Sequence, residues 1–258
     1  MQKQQVIFED LGRMDYRRAW DYQEMLLQKN LHIKSGVGKR SFDNIQDRLE
    51  TDQPSDYRSG QTENHLLFVE HDPVYTLGKS GHMENILISE KEMHAKGIQF
   101  FKTNRGGDIT FHGHEQIVGY PILDLEKFYT DIGKYMRNLE EVIILTLDDF
   151  NIKGYRSQGE TGVWVEPGIK GRERKIAALG VRCSRWVTMH GFALNVNTDL
   201  AYFNDIIACG IQHKQVTSIQ KELGSKIPVE IVKEKLKQNF RKVFDVELVE
   251  SEKLVVKG

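Results

Sequence analysis

Apolar and polar positions along this chain follow two periods, and the changes between them divide it into helices and strands. From Asp15, residues Tyr16, Ala19, Trp20, Gln23, Leu26, Leu27 and Leu31 recur at helical spacing, which predicts a helix with Asp15 as its N-cap. A second helix is predicted over 131–150, with Ile132, Tyr135, Met136, Leu139, Val142, Ile143 and Leu147 on one stripe and Asn151 and Gly154 closing it. A third opens at Pro228 and carries Ile231, Val232, Leu236, Phe240, Val243 and Phe244. Shorter helices are predicted after Ser89, stopping at Gly97, and after Thr217-Ser-Ile-Gln220, whose spacing is that of a capping box. Strands are expected at 6–8 (an edge strand), 66–70 and 74–77 (a hairpin turning at His71-Asp72-Pro73), 98–102, around 105–125, at 161–166, within 175–195 and at 246–249. Residues from about 34 to 64 are polar and weakly periodic, which reads as a surface insertion with a short helix near 42–49.

These elements predict an α+β fold, a mixed or antiparallel sheet with long helices packed to one side. Strict β–α alternation is absent, which argues against a doubly wound dinucleotide fold. No Pro/Gly/Ser linker interrupts the chain. The expectation is one domain over 1–258, with the insertion at about 34–64 and a C-terminal helical segment at 217–258.

Composition narrows the class. With 258 residues, 39% apolar and 28% charged, the chain is an ordinary globular protein able to bury a substantial core. A net charge of −1 gives no global field for nucleic acid. Two cysteines without finger or CxxC spacing exclude a disulfide framework, and the absence of an apolar leader or spanning run predicts a cytoplasmic location with reduced thiols.

Candidate chemistry centres on 175–210. Lys175 sits in an otherwise apolar segment and Cys209 precedes a glycine, a base and a nucleophile suited to acyl transfer if they meet. Cys183, between charged neighbours at a hairpin turn, reads as incidental. Glycines at 106, 107, 113 and 119 lie in or beside two strands, which implies close approach of another backbone or a ligand. They match neither a phosphate-cradling GxxxxGKS loop nor GxGxxG. His112 and His114 would share one face of a regular strand, but zinc needs three or four ligands and no third is evident, so no metal is expected. Six basic residues between Lys170 and Arg185, against Glu173 alone, are a candidate docking patch for an acidic partner.

RGGDITFHGHEQIVGYPILDL, the upstream EHDPVYTLGKSG and the block from Lys175 to Ile211 resemble, in order, the three motif blocks of the lipoyl/octanoyl transferase family, over about 6–218. The resemblance implies the catalytic-domain fold shared by lipoate and biotin protein ligases and class II aminoacyl-tRNA synthetases. It implies octanoyl transfer from octanoyl-acyl-carrier protein to a lysine of lipoyl domains in 2-oxoacid dehydrogenase complexes and of glycine cleavage H protein, the first step of endogenous protein lipoylation, with no cofactor, no nucleic acid and no membrane. Cys209 falls on the family's acyl-thioester cysteine and Lys175 on the lysine that lowers its pKa. Arg105, Gly106, Gly107, Asp108, Ile109, Thr110, Phe111 and His112 fall on the acyl-substrate strand. Ala178, Leu179 and Gly180, and Gly191, Phe192 and Ala193, fall on two further walls of the acyl pocket. Where the family usually has Pro-Gly after His112-Gly113, this chain has His114-Glu115. An ATP-dependent lipoate or biotin ligase of the same fold, which needs no cysteine, and a non-catalytic acyl-binding module are the alternatives.

Overall fold

Asp15 caps the first helix as its position predicts: its carboxylate accepts the Arg18 N–H, and α1 runs Tyr16–Ser35 to Gly36 in the left-handed region. The computed structural model describes residues 3–36, 60–207 and 215–251. The helix expected near 42–49 lies outside them.

The other helices are α2 (Glu90–Ala95), α3 (Ile132–Asp148), α4 (Ile219–Leu223) and α5 (Val229–Phe244). Ser89 and Glu92 form a full capping box at α2. At α4 the cap is Ser218, which accepts the Lys221 N–H, one residue later than the spacing suggests; Thr217 instead donates its hydroxyl to Glu222.

The strands are β1 (Gln4–Arg13), β2 (His65–Glu70), β3 (Val74–Leu77), β4 (Gln99–Lys102), β5 (Ile109–His112), β6 (Gln116–Ile122), β7 (Tyr155–Ser157), β8 (Glu160–Val165), β9 (Arg174–Ser184), β10 (Val187–Asn195), β11 (Gln215–Val216) and β12 (Val246–Glu250). The larger sheet has the order β12-β1-β2-β6-β10-β9-β8-β7, with β11 on β9; the smaller is β4-β3-β5. β1 pairs in parallel with β12 and β2, and from β2 through β6, β10, β9 and β8 to β7 the ladder is antiparallel.

Three expectations are corrected. β1 is not an edge strand, because β12 returns from the C-terminal segment to cover it. β2 and β3 are not a hairpin but belong to different sheets, with His71-Asp72-Pro73 as the crossover. The helices also do not lie on one side. Leu66 and Phe68 face a core with α3 and α5, while Leu67 and Val69 face a second core with α1. The unbroken apolar run of β2 is the pattern of a strand buried on both faces. A third core joins the small sheet to Met93, Ile98 and Ile206.

Candidate active site

A cavity of about 390 Å³ opens where β6, β9 and β10 of the large sheet meet β5 and the start of α1. It gathers residues far apart in sequence. Arg105, Gly107, Asp108, Ile109, Thr110 and His112 form one wall; Ala178, Leu179 and Gly180 a second; Gly191, Phe192 and Ala193 a third; Lys175 also lines it. Two expected residues do not reach the lining. Phe111 points into the third core and stacks on Tyr202, with ring centroids 4.6 Å apart, as strand alternation after Thr110 requires. Gly106 sits behind the wall, its N–H donated to the Val181 carbonyl at 2.9 Å. Cys209 lies outside the described residues. The chain beyond it re-enters at β11, where Gln215 pairs with Arg174, Val216 pairs with Lys175, and Thr217 donates its N–H to the Lys175 carbonyl.

Lys175 is 9% exposed, and its Nζ sits 4.6 Å from the centroid of the buried Trp164 ring. A cation over an indole face gains electrostatic attraction while losing water. Ala178–Gly180 lie between the last β8 partner, Ala177, and the Gly106–Val181 bond, so this stretch of β9 turns its outer edge to the cavity.

Glycine density has the meaning of close backbone approach, though it makes less room for a ligand than the sequence suggests. A Cβ on Gly180 would stand 2.6 Å from the Gly106 carbonyl and 3.3 Å from the Arg105 guanidinium; one on Gly191 would stand 2.2 Å from the Gly119 carbonyl. The Arg105–Gly107 loop is thereby pressed onto β9. Gly180→Val is expected to push that loop off β9, lowering stability by about 1–3 kcal/mol and raising KM for the molecule that fills the cavity. Calorimetry with a kinetic titration checks it, and an unchanged KM would show that the loop does not define the wall.

The far end of the cavity was not foreseen. Tyr16, Tyr120 and His190 line it together with His112, and His71 lies behind them. His71 Nδ1–H donates to the Met14 carbonyl at 2.8 Å and its Nε2 accepts the Tyr120 hydroxyl at 2.8 Å, which defines a neutral tautomer. His112 Nδ1–H donates to Gln116 Oε1 at 3.0 Å, and its Nε2 accepts from the Thr76 hydroxyl, which in turn accepts from Arg105. Gln116 continues through Asn195 to the Thr217 carbonyl, so buried polar groups span the site from Arg105 to the strand beside Lys175. Burial pulls His71 down to about 4, His190 to about 3 and His112 well below the usual histidine range. Burial likewise raises Tyr16 to about 12. The charged group at this end is Arg105, which the Thr76 and Gly106 carbonyls accept from. Isolated histidines and tyrosines, on three strands, the start of α1 and the β2–β3 crossover, carry no sequence pattern that would unite them.

His114 does not share a face with His112: it follows the end of β5 and bonds Asp72 at 2.9 Å. Among the described residues no group of three His, Cys, Asp or Glu side chains is arranged to hold a metal ion. Glu115, at φ 55°, ties the β5–β6 turn to Glu70, Asn197 and Lys226. Cys183 is exposed on β9, and partial burial of its sulfur raises the thiol pKa.

The basic run is partly paired within the protein, while Lys170, Arg172 and Arg185 remain exposed. Arg172 and Arg174 pair with Glu166, Arg174 also with Glu222, Arg182 with Glu24, and Lys175 faces inward. Glu166 precedes the run on the same hairpin, whereas Glu222 on α4 and Glu24 on α1 come from distant parts of the sequence.

The family model for the lipoyl protein ligase A/B catalytic domain matches residues 15–241. An octanoyltransferase of Flavobacterium psychrophilum is 57% identical over 245 residues, covering 95% of this chain and 98% of that protein. One of Christiangramia forsetii is 54% identical over 246 residues, 95% and 97% of the two chains. Among solved structures, a bipartite lipoate protein ligase of Thermoplasma acidophilum superposes with a TM-score of 0.63 at 16% identity, over 97% of this chain and 87% of that one, a likeness of fold alone.

Proposed function

The chain belongs to the lipoyl protein ligase A/B catalytic-domain family, and from that premise we propose that it is an octanoyltransferase acting through Cys209 and Lys175 on a lipoyl-domain acceptor. The observation that carries this reading is the cavity itself: a space lined by Ile109, Val118, Ala178, Leu179, Phe192 and Ala193, with a largely buried lysine among its lining residues. Burying about six methylenes there at about 0.8 kcal/mol each supplies roughly 5 kcal/mol before entropic costs.

The chemistry proceeds in two balanced steps. The Cys209 thiolate attacks the carbonyl carbon of octanoyl-acyl-carrier protein. The C–S bond to the carrier breaks, the carrier leaves as its thiol after taking up a proton, and octanoyl-Cys209 remains. One thioester replaces another, so no ATP is needed. A lysine amine of the acceptor then attacks the acyl-enzyme, the C–S bond to Cys209 breaks, and an amide forms, downhill from the thioester. In this scheme the Lys175 ammonium favours the thiolate and gives its proton to the departing carrier sulfur in the first step, and the resulting free amine accepts the acceptor lysine's proton in the second. Backbone N–H groups of Ala178–Gly180 are the candidate oxyanion donors, since that edge of β9 faces the cavity. The return of the chain after Cys209 onto the partner strand of Lys175 supports their meeting. The acceptors proposed are lipoyl domains of 2-oxoacid dehydrogenases and glycine cleavage H protein.

Intact mass spectrometry after incubation with octanoyl-acyl-carrier protein, without ATP, is expected to show one added octanoyl group, mapped by peptide analysis to Cys209. An adduct on Cys183, or none, sinks the mechanism. Product formed only from free octanoate with ATP would establish the ligase reading instead.

A further inference from the structure

We propose that Glu140, which does not line the cavity, is a positioning residue for Lys175, acting through the backbone of Gly162. The inference deepens the reading above and rests on Lys175 as the working base.

Lys175 reaches the cavity because of a defect in the sheet. Val163 pairs with Ala177, but the next residue, Trp164, pairs with Lys175, so Ile176 is an extra residue on β9. Val163, Val165, Ile176 and Ala177 all pack in the core beneath α3. In a regular ladder Lys175 would share Ala177's face and point into that core; the bulge turns it to the Trp164 side, over the indole.

Gly162 stands directly before this bulge. Its φ is +125°, a conformation that residues with side chains rarely adopt. A Cβ there would lie 2.7 Å from the Ala177 carbonyl, 3.2 Å from Lys175 Cε and 3.5 Å from Cδ. The bare face of Gly162 is therefore the surface against which the lysine stem packs. The Gly162 N–H is held from the other side: it donates to Glu140 Oε1 at 3.1 Å. Glu140 is fully buried on α3, and its second oxygen takes Arg156 at 3.1 Å and Arg137 at 2.7 Å. A buried carboxylate is costly unless every oxygen is paired, so this one is a rigid anchor. It joins α3 to the strand whose Glu160 and Thr161 line the cavity beside Lys175.

Two substitutions separate this role from that of a structural ion cluster. Glu140→Leu removes the acceptor for Gly162, whereas Glu140→Gln keeps a carbonyl for it and gives up the charge together with the oxygen that holds Arg137 and Arg156. Arg137 and Arg156 are partly exposed and can turn to Glu141 and water; the Gly162 N–H cannot move. Each variant is assayed for octanoyl transfer, thermal stability and the ¹³C resonance of Lys175 Cε, assigned through Lys175→Arg. Glu140→Leu is expected to lower kcat about tenfold to a hundredfold with KM for the donor within about threefold, and to move the Lys175 resonance. Glu140→Gln should restore both most of the way to the native values. The proposal is overturned if Glu140→Leu keeps native kcat, if the Lys175 resonance stays put, or if Glu140→Gln is as slow as Glu140→Leu. Should native protein transfer no octanoyl group, the functional reading fails, while the resonance comparison still decides whether Glu140 positions Lys175.

Discussion

Cys209→Ala is expected to abolish octanoyl transfer and Lys175→Ala to slow it about a thousandfold, the two largest losses open to single substitutions. The losses differ in kind. On the proposed mechanism the loss of Cys209 removes the acyl-enzyme, and Cys183, exposed on β9 with its thiol pKa raised, is not expected to replace it. On the same proposal the loss of Lys175 spares the nucleophile but removes the charge that would favour its thiolate, so the residual rate should climb with pH toward the ordinary thiol pKa of about 8.5. Lys175→Arg should not rescue transfer. A guanidinium keeps its proton and cannot serve as base, and its planar fork does not fit between Gly162 and the Trp164 ring, where the lysine stem and ammonium now pack. Stopped-flow acylation across pH 6–9 separates the two variants. A native rate in Lys175→Ala would remove this lysine from the chemistry.

The sequence made some of this arrangement legible and not the rest, for a physical reason. Helices α1, α3 and α5 follow local 3.6-residue stripes, and their caps at Asp15 and Asp131 follow local hydrogen bonding. The stretches 178–180 and 191–193, and 105–112 apart from Gly106 and Phe111, were picked out through glycines and motif resemblance and line the cavity. What stayed hidden depends on registry between distant strands. The bulge that turns Lys175 needs the β8–β9 pairing, and the anchor at Glu140 looks in sequence like any helix-surface carboxylate. His71, beside an Asp-Pro turn, reads as either a surface or a packing residue; the structure makes it the latter, fully buried where β2 and β3 part into two sheets and α1 closes over it. The same limit applied to Arg174 and Arg182, whose partners Glu222 on α4 and Glu24 on α1 lie far away in sequence.

The histidines hidden in this way predict a steep acid limit. In the unfolded chain His71, His112 and His190 titrate near 6.5, whereas in the folded chain burial holds them at about 4, well below 6.5 and about 3. Between about pH 6 and 5 the unfolded state therefore binds up to three more protons than the native one. Stability should fall with acidification at a slope approaching about 4 kcal/mol per pH unit, three protons at about 1.4 each. His65 acts with the opposite sign. Burial opposes its charge, but Glu63 and Glu9, each 3.5 Å away, outweigh that and hold it above its usual range. Its contribution is complete below about 6.5 and is lost as pH rises through the raised value. The stability maximum thus lies near neutrality, with the acid side the steeper of the two. Urea unfolding at half-unit steps from pH 5 to 8 measures both limbs. A flat acid limb would mean that these imidazoles meet water and take up protons in the native state. In that case the far end of the cavity is an open polar channel, unsuited to an acyl chain, and the functional reading loses its main support. A steep limb shows that the wall keeps three imidazoles neutral at working pH, the condition under which alkyl carbon can pack against them.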